Sequence, residues 1–147
     1  GEGMRSGSNF NFALTGGAAG TIASDKYLDI PIDYASASKG ISLGAGAYLI
    51  CDQGVSPVAF LRNLLNFFRH ESCGKCTPCR VGTHRAHEIL DGMVRGTGQP
   101  GNVEELRQLA EVMLDSSFCG LGQSVPVPLR SALDNFSEVF AAAENRE

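Results

Sequence analysis

Cys73, Cys76 and Cys79 fall within seven residues, in the run Glu71-Ser72-Cys73-Gly74-Lys75-Cys76-Thr77-Pro78-Cys79-Arg80. Of the five cysteines, Cys119 stands alone in Ser116-Ser117-Phe118-Cys119-Gly120-Leu121-Gly122, and Cys51 closes an apolar stretch. Thiols this dense must pair, ligate a metal or do redox chemistry. No positively charged segment followed by an apolar one opens the sequence, so the cysteines are not read as a secreted disulfide framework. Metal ligation or redox chemistry is the better reading.

A C-x2-C-x2-C spacing lets three thiolates reach three irons of one cubane, and leaves the fourth iron to a cysteine from elsewhere. Cys119 is the candidate. Gly74 has no Cβ to obstruct the approach of backbone to inorganic sulfur. Cys79 falls in the first turn of a helix that Pro78 opens, where free N–H groups and the helix dipole favour a thiolate. Arg69, Lys75, Arg80 and Arg85 surround the motif in sequence against Glu71 and Glu88, and positive charge near a cluster stabilises its reduced form. For Arg69 and Arg85, solvation of a helix surface explains the charge equally well.

The alternative is a structural zinc site of four cysteines, although such sites usually pair two short Cys knuckles. A mixed site drawing on His70, His84 or His87 also stays open, with hydrogen bonding their commoner role. Cys51 reads as a buried, inert thiol.

Composition narrows the classes. A net charge of −4 argues against general binding to nucleic acid phosphate, and 43% hydrophobic with 19% charged residues suits a globular domain. The longest apolar run, Ile41 to Cys51, is interrupted by Ser42, Gly44 and Gly46 and is too short to span a bilayer. A cytoplasmic protein, or one at the cytoplasmic face of a membrane complex, is expected, with no direct membrane insertion. The sequence has no complete G-x-G-x-x-G and no P-loop, and no nucleophile triad stands out. These patterns indicate an electron-carrying centre without an obvious place for substrate.

Two halves differ in their periodicity. In residues 1–55, Asn11–Leu14 and Gly46–Cys51 read as strands, the second nearly all apolar and expected to be buried on both faces. Gly16-Gly17-Ala18-Ala19-Gly20 is a turn, and Asp29–Tyr34 an extended or turning segment around Pro31. From Ser56 the period is helical. Ser56 caps a first helix, with Pro57 at its first position and a stripe of Leu61, Leu64, Leu65 and Phe68. Thr77-Pro78 starts a second helix with Val81, Ile89, Leu90 and Met93 inside and Gly96 as its stop. Asn102 and Glu105 resemble a capping box before Leu106, Leu109 and Met113. A last helix opens at Pro126 or Pro128 and carries Leu129, Leu133, Phe136 and Phe140. Four helices with short loops make a small bundle, and the fold class is α+β. Gly82, costly inside a helix, is expected to permit close approach of the cysteine loop or a neighbouring chain.

The two cysteine motifs, Glu71-Ser72-Cys73-Gly74-Lys75-Cys76-Thr77-Pro78-Cys79-Arg80-Val81-Gly82-Thr83 and Asp115-Ser116-Ser117-Phe118-Cys119-Gly120-Leu121-Gly122-Gln123, resemble the C-terminal iron–sulfur domain of NADH-binding flavoprotein subunits. That family serves respiratory complex I, NAD(P)-linked hydrogenases, formate dehydrogenases and electron-bifurcating enzymes. Leu14–Gly20, Leu28–Tyr34 and Gly44-Ala45-Gly46 are similar, in order, to its soluble-ligand-binding β-grasp domain. The resemblance implies a partial β-grasp (ubiquitin-like) segment at 1–55 and a 4Fe-4S-binding four-helix bundle at 56–147. It implies Cys73, Cys76, Cys79 and Cys119 as cluster ligands, with Lys75, Gly120 and Leu121 close to the cluster or a flavin. FMN and NAD(P)H would lie on an upstream domain that this sequence, opening on Gly1-Glu2-Gly3, does not include. The chain is therefore expected to be a piece of a longer polypeptide. Its cluster would relay single electrons from the flavin to further centres, in a thioredoxin-like 2Fe-2S partner and a larger iron–sulfur subunit. The competing functions are a zinc module serving protein–protein contact and a ligand-binding β-grasp domain that the cluster only staples.

Overall fold

The computed structural model describes residues 3–145. A small antiparallel sheet comes first and helices follow, a mixed α+β arrangement. Strands β1 (Phe10–Thr15), β2 (Thr21–Ala23) and β3 (Tyr48–Asp52) take the order β2-β1-β3. The β1–β2 turn requires glycine: Gly16 and Gly17 have φ of 83° and 88°, and a Cβ on Gly20 would collide with the Thr15 carbonyl. The sequence reading missed β2, because three residues are too few to show alternation.

Alternation divides the sheet. Phe12, Leu14, Ile22 and Cys51 face the helices, while Ala13, Thr15, Ala23, Tyr48 and Ile50 lie against an apolar cavity of about 130 Å³ on the other face. The expectation that β3 is buried on both faces fails. Leu49 and Ile50 remain half exposed because β3 lies at one edge of the sheet. Its apolar run is thus an edge strand, not a central one.

Helix α1 (Pro57–Glu71) starts as read, with Ser56 Oγ accepting from the Ala59 N–H at 3.4 Å. Helix α2 (Thr77–Arg95) begins one residue earlier than expected: Cys76 is its cap, and Pro78 sits at the second position. It stops at Gly96 in the left-handed conformation, φ 78°. Val81 lies within α2 as expected but is half exposed, because it is offset from the buried Cys79–Thr83–Ala86–Leu90 stripe.

The capping box at α3 (Asn102–Ser116) does not form. Gly101 holds the cap position at φ 91°, the Asn102 side chain accepts from the Gln99 N–H at 2.8 Å, and Glu105 pairs with Arg85. Glu144, more than 40 residues downstream, supplies the cap: its carboxylate accepts from the Gly101 N–H and from Val103 N–H at 3.1 Å. A short helix α4 (Gly120–Ser124) follows the Cys119 loop. The expected single last helix is two, α5 (Pro126–Asn135) and α6 (Ser137–Glu144), broken at Phe136 where φ is −131° and ψ 35°.

One apolar core joins sheet and helices. Phe12 and Ile22 share it with Leu61, Leu65, Leu90, Leu106, Met113, Leu129, Leu133 and Phe140. Phe12 meets Phe60 and Phe136 edge-on, at 5.0 and 5.8 Å between ring centroids. Polar bonds reinforce the seam: on α5, Ser131 Oγ accepts from the Ile22 N–H at 2.9 Å, and Asn135 Nδ2 donates to the Ile22 carbonyl at 2.7 Å. The close approach read from Gly82 is real but its partner differs. A Cβ there would stand 2.8 Å from Met113 Cγ, so the glycine admits α3 rather than the cysteine loop.

Candidate iron–sulfur centre

Four elements converge on one small cavity. The C-terminus of α1 ends in Glu71 and Ser72. The loop 73–76 then doubles back, with Gly74 at φ 76°, and delivers the chain to the N-terminus of α2. Arg80, one turn into α2, ties this loop down by donating to the Gly74 carbonyl at 2.5 Å. The fourth element is the Ser117–Cys119 segment, which ends at α4 with Cys119 as its cap. A cavity of about 90 Å³ results, lined by Glu71, Ser72, Cys73, Lys75, Cys76, Cys79, Cys119 and Leu121.

The structure therefore brings together all four cysteines singled out in the sequence, with Lys75 and Leu121. Gly120 is not among the lining residues. Neither is any histidine: His70, His84 and His87 lie outside the lining. Cys51 is buried in β3, where desolvation and then Asp52 push its thiol above the ordinary range. Of the four cations near the motif in sequence, Lys75 lines the cavity and Arg80 anchors its loop. Arg69 donates to Asn66, and Arg85 forms a fork with Glu105 at 2.6 and 2.9 Å beside Glu88, so these two serve the helix surface.

The site is graded from surface to core. Cys73 and Cys119 are exposed, whereas Cys76 and Cys79 are buried. The backbone N–H groups of Phe118 and then Cys79 hold the Cys76 thiol below its ordinary value. Burial pushes Cys79 up; Ser72 works against that shift, and the neighbouring Cys76, Cys119 and Cys73 add to it. Ionising all four cysteines at such close quarters would need a cationic core between them.

The donor set tests which core fits. Among the described residues no group of three or more His, Cys, Asp or Glu side chains closes around a single ion position. The four thiols instead surround a cavity with room for several water-sized bodies, since one water needs roughly 10–15 Å³. All-sulfur ligation around a space larger than one ion fits an iron–sulfur cluster better than zinc.

Sequence reasoning missed three contributors. Ser72 Oγ lies 3.3 Å from Cys79 Sγ. Gly122 lets α4 pack against Cys79, since a Cβ there would stand 3.0 Å from Cys79 Cβ and 2.6 Å from Ser117 Cβ. Ser117 is buried beside them. The Gly-Leu-Gly run after Cys119 was the available signal for Gly122, whereas nothing in the spacing marks the two serines.

Residues 59–143 match the family model of the NADH-ubiquinone oxidoreductase-F iron–sulfur binding region. The chain belongs to this family. Its members' region binds a 4Fe-4S cluster, and the fit of the cavity agrees with that assignment over the zinc alternative. Among curated relatives, the NADP-reducing hydrogenase subunit HndC of Solidesulfovibrio fructosivorans is 39% identical over 144 residues, covering 97% of this chain and 29% of that protein. A subunit of the NADH-quinone oxidoreductase of Escherichia coli K12 is 39% identical over 142 residues, covering 95% and 32%. An NAD+-reducing NiFe hydrogenase in its H2-reduced state superposes with a TM-score of 0.83 at 28% identity, over 95% of this chain and 24% of that one. The chain thus spans about a third or less of the length of the relatives that it matches. No helix among the described residues is long and apolar enough to cross a membrane.

Proposed function

We propose that this chain is the electron-relay segment of an NAD(P)H-linked oxidoreductase. It holds one 4Fe-4S cluster through Cys73, Cys76, Cys79 and Cys119. The observation that carries this reading is the convergence of four thiols, from segments 40 residues apart in sequence, on one small cavity in a chain of the iron–sulfur family. When bound, the cluster supplies one-electron transfer. The chain's own residues shape that transfer. Cys76 and Cys79 hold the buried side, Cys73 and Cys119 hold the side open to a partner, and Lys75 sets a positive charge at the rim.

Residues 1–55 are read as a partial soluble-ligand-binding β-grasp segment and 56–147 as the cluster-binding domain. There α1, α2, α3 and the broken α5–α6 arm act as a four-helix bundle. The names of the relatives, which are NADP- or NAD+-reducing or NADH–quinone oxidoreductases, support a nicotinamide nucleotide as the electron partner, and the family resemblance adds FMN and its placement upstream. The flavin would take a hydride there and release electrons singly to this site. A thioredoxin-like 2Fe-2S subunit and a larger iron–sulfur subunit are the proposed acceptors, in the cytoplasm or at the cytoplasmic face of a membrane complex. Lys75, Gly120 and Leu121 are proposed to lie close to the cluster or flavin.

Iron, acid-labile sulfide and zinc content of anaerobically prepared protein, with an EPR spectrum after dithionite reduction, tests the reading. About four irons and four sulfides are expected. One zinc without sulfide would leave a structural module. Cys119→Ala is expected to lose the cluster or retain a three-iron form, and an intact four-iron signal at unchanged potential would remove Cys119 from the ligand set.

A further inference from the structure

Ser72 closes α1 and lines the four-cysteine cavity. Its backbone N–H donates to the Phe68 carbonyl at 3.0 Å, so the helix end holds the residue by its main chain and leaves the hydroxyl free. That hydroxyl meets two groups. Its Oγ accepts from the Gly74 N–H at 3.4 Å and lies 3.3 Å from Cys79 Sγ. Gly74 is held in turn, because Arg80 donates to its carbonyl.

These contacts fix where the hydroxyl proton goes. A serine hydroxyl has one proton to donate and two lone pairs that accept. The Gly74 N–H occupies a lone pair and offers no acceptor. Among the described residues, Cys79 Sγ is the only acceptor that the proton meets. A thiolate bound to iron has no proton to give, so Ser72 is the donor of the pair. Cys79 is also the least exposed of the four cysteines, at 5%. Water has little access to its sulfur, and donors must come from the chain. A hydrogen bond to an anion is roughly twice as strong as one between neutral groups.

We infer that the Ser72 hydroxyl donates a hydrogen bond to the Cys79 thiolate and thereby raises the potential of the cluster that this thiolate holds. The inference rests on the reading that the four cysteines hold the cluster. An added electron makes the cluster and its sulfur ligands more negative, so the donor bond is stronger in the reduced form and the midpoint rises. Ser72 ligates nothing. It is a positioning residue that acts through Cys79.

The experiment is a redox titration followed by EPR on cluster-loaded, full-length protein, with Ser72→Ala and Ser72→Thr beside the parent. Ser72→Ala is expected to give a reduced-to-oxidised ratio about three- to tenfold lower at fixed potential, a midpoint lower by about 28–59 mV for one electron, with iron and sulfide content unchanged. Ser72→Thr keeps the hydroxyl and should return the midpoint to the parent's. Full cluster content with an unmoved midpoint in Ser72→Ala would overturn the inference and leave the relay reading standing. A Ser72→Thr midpoint as low as that of Ser72→Ala would also overturn it, assigning the shift to the loop and not to the proton. A parent protein without iron and sulfide would instead overturn the relay reading. Should Ser72→Ala fail to load, Ser72→Cys retains a weaker donor. A midpoint below the parent's then supports the inference, and one equal to the parent's overturns it.

Discussion

Gly122→Ala is expected to damage the cysteine site while leaving the helices intact. The added methyl would stand 2.4 Å from Ser117 Oγ, 2.6 Å from Ser117 Cβ and 3.0 Å from Cys79 Cβ, against an ordinary carbon–carbon contact of about 3.5–4.0 Å. Rotation about χ1 can move the oxygen but cannot move Ser117 Cβ, which follows a backbone bonded at both its N–H and its carbonyl. Either α4 must shift, taking its cap residue Cys119 along, or Cys79 must. Overpacking of this kind costs about 1–3 kcal/mol, and alanine in place of glycine within a helix returns about 1 kcal/mol. The net is a destabilisation of about 1 kcal/mol, a few degrees of melting temperature for a domain of this size. The larger effect is expected on the proposed cluster, because a ligand displaced by more than about half an ångström leaves its productive geometry. Gly92→Ala is the matched control. Its Cβ meets only Thr97 at ordinary contact distance, 3.5 Å, within α2. Thermal melts and iron content of the two variants decide the matter. Equal melting temperatures and equal iron content would refute the packing argument.

Three further outcomes are expected. Glu144→Ala should destabilise the chain by about 1–2 kcal/mol in urea denaturation, because the first N–H groups of α3 lose their acceptor; an unchanged midpoint would mean that water replaces the carboxylate at no cost. Burial, then Arg69, pushes His87 below its ordinary value of 6.5. The unfolded chain therefore binds the proton more tightly, so this contribution is full above that value and fades as pH falls below it. Denaturation midpoints at pH 7.5 and 5.5 should lie closer together in His87→Gln than in the parent. Gly82→Ala should cost less than Gly122→Ala, since the atoms in its way, Met113 Cγ and Sδ at 2.8 and 2.9 Å, belong to a flexible side chain; a greater loss in a melt would contradict this.

Local signals were legible wherever one residue determined one geometry. Ser56-Pro57 opened α1, Gly96 closed α2 in the left-handed conformation, and the cysteine spacing located the loop of the site. What escaped was long-range. The cap of α3 comes from Glu144, so the local Asn102–Glu105 pattern pointed to bonds that neither residue makes. Periodicity from Leu129 to Phe140 was continuous through Phe136, yet the chain breaks there, where the ring turns to meet Phe12. The apolar run of β3 gave no sign that its strand sits at an edge, because hydrophobicity along a chain does not encode strand order. In the site, thiols announce themselves by spacing, whereas Ser72, Ser117 and Gly122 acquire meaning only when α4 is laid beside α2.

Ile22 is held on one side by β1 and on the other by Ser131 and Asn135, which stand one helical turn apart on α5 and occupy both of its backbone groups. These partners lie 109 and 113 residues away along the chain. In kinetic terms, a three-residue strand gains its second set of bonds only after the chain out to α5 has been synthesised and the intervening loop closed. Strand β2 is accordingly secured late. On a ribosome, the glycine turn before it would wait with one side open until α5 emerged.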